Sequence, residues 1–296
     1  MPGEAPDPAA PDTSARDLSA QDAVAQDVAG RDAVANDASG QDAVGQDRAG
    51  YFVDKWLQHE PEMQFAVLFC PVAQRVRLQA WGALLHELRE TRFELREPAV
   101  ADAKRAWWSE ELSCIAAGRP NHPLGPALAG VEAPWRTLAR AFATPENGHA
   151  RPADLAQSLQ SLAPLAAAVA AVEAALFASD ATPEAARALA VHWRLQQLPQ
   201  GLRDDAMAGV PMGLLARHGL TRANVAQALP EPLLRDWARS LGEALPAAMP
   251  GAAAFRRSRA RFDKARLARL ARRGDAFDAG PAPAMLWRAW RAARAR

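Results

Sequence analysis

Two short acidic runs hold the residues best suited to chemistry. The first is His86-Glu87-Leu88-Arg89-Glu90, where Glu87 and Glu90 stand at i and i+3 and share a face if the segment is helical. The second is Leu202-Arg203-Asp204-Asp205. Carboxylates facing one another on packed helices are how a bundle holds a divalent cation and, through it, a diphosphate. Spacing alone leaves another reading open, in which Glu87 and Glu90 lie on a solvated face and pair with Arg89, Arg92 or Arg96. Other chemistries lack their residues. The chain has no GxSxG elbow, no GxxxxGK(S/T) loop and no HExxH. Its six histidines never stand at i, i+3 or i+4 from one another, and Cys70 and Cys114 make neither a disulfide framework nor a metal-ligand spacing.

The elements that must position these residues read as helices. Candidate helices span 72–95, 100–117, 134–143, 152–178, 183–202, 212–218, 230–249, 252–272 and 284–294. Pro71 marks a start and Gly118 an end, while Asp154, Thr182 (before Pro183-Glu184) and Thr221 can cap the helices that follow them. No run of alternating β-branched residues points to a strand. The most apolar stretch, 162–178, carries Pro164 and Glu173 and is short for a membrane span, so it reads as a buried helix. Residues 51–296 are therefore expected to form one all-α domain. Residues 1–50 are expected to be a disordered acidic tail. There Asp recurs at every fifth position from Asp17 to Asp47, a period that fits neither a helix face nor a strand face, and no aromatic residue is present.

Three stretches carry a resemblance. They are FAVLFCPVAQRVRLQAWGALLHELRE at 65–90, KRAWWSEELSCIAAGRPNHPL at 104–124 and LQQLPQGLRDDAMAGVPMGLLARHGL at 195–220. In this order they are similar to the squalene/phytoene synthase family, over about residues 51–296. The resemblance implies an isoprenoid-synthase-like helical bundle with a central cavity and a place in terpenoid biosynthesis. It also implies two acid-rich motifs that hold Mg²⁺ and, through it, the diphosphates of two prenyl substrates. By the same likeness Phe65, Trp81, Gln200 and Arg203 would bind substrate. Glu87, Glu90, Asp204 and Asp205 would be the metal ligands of an active enzyme.

The motifs depart from the family pattern. His86 stands where the first acid is usual, and Met207 and Ala208 stand where two acids of the second motif are usual. Gln200 replaces an Asn, Gln64 a Ser, Trp81 a Tyr and Leu85 an Arg, and the loop at Gly209-Val210-Pro211 is short. Thioether and methyl groups do not ligate Mg²⁺. The expectation is a degenerate relative, non-catalytic or weakly catalytic, which binds an isoprenoid or other lipid or assists assembly of a membrane complex. In its erosion it is similar to the complex I assembly-factor type. The alternative is an active Mg²⁺-dependent head-to-head prenyltransferase.

Charge bounds the partners. The tail of fifty residues holds ten acids against three bases, and residues 255–296 hold thirteen bases against three acids, yet the whole chain is only +1. No nucleic-acid partner is expected. The arginines from Arg256 to Arg273, interleaved with Phe255, Phe262, Leu267 and Leu270, read as an amphipathic helix with a basic face. That face is either solvated, the preferred reading, or set against anionic lipid or, as a lower alternative, nucleic acid. Met285, Leu286, Trp287 and Trp290 then either pack back on the bundle or rest on a membrane surface. Adjacent Trp107 and Trp108 read as one core and one boundary residue, or as cavity lining. The opening MPGEAPDPAAPD has no basic flank and no apolar run, so the expected location is cytoplasmic, peripheral to the inner membrane if the basic end makes contact.

Overall fold

The computed structural model describes residues 38–95, 97–144, 151–197, 209–221, 230–274 and 280–294. All regular structure among the described residues is helical: α1 Ala38–His59, α2 Met63–Leu68, α3 Val72–Phe93, α4 Pro98–Ala116, α5 Pro126–Ala129, α6 Trp135–Ala143, α7 Leu155–Gln160, α8 Ala163–Leu176, α9 Pro183–Gln196, α10 Met212–Arg217, α11 Glu231–Ala244, α12 Ala254–Arg273 and α13 Ala282–Arg294. Backbone contacts group the described residues from 46 onward into one compact body.

Local chemistry sets most of these limits. The Asp154 carboxylate accepts the Gln157 N–H at 2.8 Å, and the Thr182 hydroxyl accepts the Ala185 N–H at 3.1 Å ahead of Pro183. Gly118 and Gly274 follow their helices in the left-handed region, at φ 70° and 79°. The helix expected over 152–178 is in fact two, α7 and α8. Pro164 opens α8, where it cannot donate to the preceding turn and its ring would crowd a continuous backbone. The helix α11 stops earlier than expected because Leu245 precedes Pro246 and takes an extended backbone, φ −69° and ψ 127°. The helix expected after Thr221 lies outside the described residues.

Helix also reaches upstream of the expected boundary at residue 51, since α1 begins at Ala38. Once Phe52, Val53 and Trp56 are held by packing, each further residue adds a hydrogen bond without a new nucleus. Residues 1–37 lie outside the described residues.

The core has two parts. An aromatic part gathers Trp56, Trp81, Trp108, Trp135, Phe142, Phe255 and Phe262. A leucine-rich part joins α9, α10, α11 and α12 through Val191, Leu214, Leu233, Leu241 and Leu267. The middle of α3 is buried all round, from Ala80 to Arg89. At Gly82 α3 lies so close to α1 that any Cβ would overlap the Trp56 ring. The apolar α8 is a buried helix, and no helix among the described residues is long and apolar enough to cross a membrane.

Candidate functional site

The helix α3 brings His86, Glu87 and Glu90 into one group. What faces them is a lysine on α1. The Lys55 Nζ donates to Glu87 Oε1 at 2.8 Å and to Glu90 Oε2 at 2.5 Å. On the other side His86 Nε2 stands 3.6 Å from Glu90 Oε1. The Arg89 guanidinium donates to His86 Nδ1 at 3.4 Å, which leaves the proton of a neutral ring on Nε2, toward Glu90. The His59 ring lies 4.7 Å from that of His86. Burial opposes charge on Glu90, but His86 and Lys55 beside it prevail and hold its carboxyl at about 2. Burial likewise opposes charge on Lys55, and its bonds to the two carboxylates outweigh this and keep the ammonium above its ordinary value. The partner that the structure gives both acids is therefore Lys55, with Glu87 buried and Glu90 part-exposed. They form a carboxylate pair closed by the chain's own cation.

Mg²⁺ takes oxygen ligands in octahedral geometry, and here the Lys55 ammonium binds one oxygen of each carboxylate, so a metal ion at this group would compete with it. The sites expected at Gln200, Arg203, Asp204 and Asp205 lie outside the described residues, as do Met207 and Ala208. Their downstream flank is anchored where Ser158 Oγ donates to the Gly209 carbonyl at 2.6 Å.

The tryptophan-rich stretch makes a clamp. The buried Glu111 carboxylate on α4 accepts the backbone N–H of Asn121 at 2.9 Å and of His122 at 2.9 Å, tying the Gly-Arg-Pro turn to the helix before it. The His122 ring then packs 4.9 Å from Trp108 and 4.4 Å from Phe52. Burial, with Lys104 nearby, lowers its titration to about 4. Trp108 is core and Trp107 is 46 % exposed, so they divide as one core and one boundary residue. Phe65 is half-buried on α2 against the aromatic core. Trp81 is fully buried, edge-on to Trp135, and its indole N–H donates to Glu173 Oε2 at 2.9 Å.

Glu173 leads into a buried charge cluster that the sequence reading missed. It accepts from Arg256 Nε at 3.1 Å and Nη2 at 2.6 Å. Arg259 pairs with Glu60 and also donates to His192 Nε2 at 2.7 Å, while His192 Nδ1 lies 3.0 Å from Asp263 Oδ2. Arg266 donates to Glu62 Oε1 at 2.8 Å. Burial and then Arg259 keep His192 well below its ordinary value, so the ring is neutral and its Nδ1 proton points to Asp263. Burial raises Asp263 to about 6 against the pull of Arg266 and Arg259. The basic face expected of residues 256–273 is thus corrected: Arg256, Arg259 and Arg266 are buried, because the interior supplies carboxylates that neutralise them. The available signal was periodicity, since Arg256, Arg259, Asp263 and Arg266 share the α12 face that also carries Phe262 and Leu270.

A groove among the described residues lies apart from the Glu87–Glu90 group. It has a volume of about 620 Å³ and runs between α7, α8 and α9. Its walls are largely alkyl, from Leu159, Ala163, Ala167, Ala170 and Ala190, with Gln160, Thr182 and Arg187 supplying polar groups. None of Glu87, Glu90 and Trp81 lines it.

No protein-family model matches the chain, and no curated protein sequence matches it. Among solved structures, the crystal structure of a dehydrosqualene synthase in complex with ligand is similar, with a TM-score of 0.57 and 15% identity over 84% of this chain and 96% of that one. A likeness of that size at that identity shows the fold: the chain is an all-α protein with an isoprenoid-synthase helical fold.

Proposed function

We propose that this protein is a squalene/phytoene-synthase-like chain that has given up metal-dependent prenyl transfer. It uses the fold to bind an isoprenoid or another lipid in support of a membrane-bound complex. The observation that carries this reading is Lys55 lying across Glu87 and Glu90 at 2.8 and 2.5 Å. The positive charge that Mg²⁺ would supply is already present, on an ammonium that cannot act as a Lewis acid toward a diphosphate. His86, Met207 and Ala208 at usual acid positions point the same way. The alkyl groove between α7 and α9 is of a size common for small-ligand sites and suits a prenyl or acyl chain.

The test is diphosphate release from farnesyl and geranylgeranyl diphosphate, with Mg²⁺ and with chelator. The folded protein is expected to release none under either condition. Mass spectrometry of the intact purified protein is expected to detect a retained lipid. Metal-dependent release with a condensed hydrocarbon product overturns the proposal. It would favour the active enzyme, with Glu87, Glu90, Asp204 and Asp205 as ligands and turnover abolished in Asp204→Ala. A location in the cytoplasm, at the inner-membrane surface, follows as part of the same proposal.

A further inference from the structure

The helix α13 has two unlike faces. Ala289 and Ala292 are fully buried and Met285 packs on the aromatic core, so this face holds the helix against α12 and α2. The opposite face leaves Leu286 39%, Trp287 55% and Trp290 38% exposed. The Arg291 guanidinium lies 4.8 Å over the Trp287 ring, and that of Arg294 lies 4.4 Å over the Trp290 ring. Its neighbour α2 ends at Leu68, 55% exposed, and the first turns of α3 add Val72 and Val76 at 75% and 68%. Exposed tryptophans with Leu286 on the same helix face, and guanidinium groups stacked over their rings, are the arrangement that suits a bilayer's headgroup layer.

Arg257, Arg261 and Arg291 bring positive charge beside this face. No acid lies on α13. On the adjoining edge of α12, Arg257 reaches the Ala292 carbonyl at 3.2 Å, and Arg261 is half-buried. Burial lowers the titration of Arg257 and Arg261, and each is lowered further by a neighbouring cation, Arg261 for the first and Arg291 for the second. Arginines crowded so that they repel one another gain from an anion brought between them. Elsewhere on α12, Arg256, Arg259 and Arg266 are met by Glu173, Glu60 and Glu62, whereas among the described residues no acid pairs with Arg257, Arg261 or Arg291.

We propose that α13, together with the Arg257–Arg261 edge of α12, is a docking surface for anionic membrane lipid. Leu286, Trp287 and Trp290 enter the headgroup layer, and Arg261 and Arg291 meet lipid phosphates. This does not depend on the fate of the metal motif, so diphosphate release and membrane binding can succeed or fail separately.

The experiment is co-sedimentation of the full chain with phosphatidylcholine vesicles, with and without phosphatidylglycerol. Binding is expected only with phosphatidylglycerol and is expected to fall as salt rises. Trp287→Ala/Trp290→Ala is expected to weaken it roughly tenfold or more. Arg261→Ala/Arg291→Ala is expected to weaken it by roughly 30-fold, on the usual worth of two basic residues at an anionic surface. Because the second pair removes a repulsion, its melting temperature is expected to stay level or rise, which separates lost docking from lost folding. Equal binding to both vesicle types, or wild-type binding by the arginine pair, overturns the proposal. So does a concentration-dependent dimer that Trp287→Ala/Trp290→Ala abolishes in the absence of vesicle binding, since a second copy would then cover this face.

Discussion

Two clusters hold carboxylates against cations in different surroundings. At α3 one lysine serves two acids and remains in reach of water, with side-chain exposures of 26% for Lys55 and 18% for Glu90. Along α12 three arginines meet Glu60, Glu62, Glu173 and Asp263, and no side chain among the pairs exceeds 9% exposure. The first cluster lies where the sequence placed catalysis, and the second where it placed a solvated or lipid-facing surface. In both, the chain's own ion pairing decides the outcome. An acid already neutralised by a resident cation is a poor metal ligand, and an arginine already neutralised by an interior acid is lost to a partner.

The sharpest way to break the comparison is to strip one cation from each cluster. Arg259→Ala leaves Glu60 buried and short of its main partner, and a loss of about 3–5 kcal/mol in denaturant unfolding is expected. Lys55→Met removes a part-exposed cation and is expected to cost only about 1 kcal/mol. A loss for Lys55→Met as large as that for Arg259→Ala would mean the α3 cluster is as much a part of the core as the α12 cluster. The same Lys55→Met protein is expected to gain Mn²⁺ affinity by roughly tenfold, read by electron paramagnetic resonance, because two carboxylates lose their internal cation. An unchanged, high Mn²⁺ affinity in the wild type would show that Lys55 does not block the site.

pH sharpens the contrast, since Glu90 in one cluster and Asp263 in the other shift in opposite directions. Glu90 titrates near 2 when folded and above 4 when unfolded, so its contribution is present above about pH 4.5 and is lost as pH falls toward 2. After allowance for screening this is on the order of 1 kcal/mol, visible as a flatter acid limb for Glu90→Gln. Asp263 is raised to about 6, so its folded form holds a proton that the unfolded chain has released, and it destabilises progressively from about pH 4 to pH 6. Asp263→Asn is expected to gain on the wild type across that window, measured as the pH dependence of the difference in unfolding free energy.

Much of the fold was legible because its signals are local. Thr182-Pro183, Asp154 and Gly118 act on the residues next to them, and the all-α class follows from helical periodicity with no strand pattern. The boundary at residue 51 was set by where aromatic residues begin, but a packed helix extends beyond its last anchor. The acidic motif was found, yet its closing cation was not, because Lys55 lies 32 residues from Glu87 and meets it only across two packed helices. The inward turn of Arg256, Arg259 and Arg266 escaped notice because an amphipathic helix is usually read with its charges outward. Here the acids that reverse the reading come from α8 and from the junction of α1 and α2. The second acidic run, with Gln200, Arg203, Asp204 and Asp205, falls outside the described residues.

Gly82 sets the gauge of this arrangement. The Trp56 ring packs directly against the α3 backbone there, and Lys55 is the residue just before it. The separation of α1 from α3 is therefore set by the Trp56 indole packed at Gly82, and that spacing lets an ammonium span Glu87 and Glu90. A single methyl group at 82 would act as a shim. It would lift the lysine from its two acids without altering any charge, so the electrostatics of the motif depend on a residue that carries no side chain.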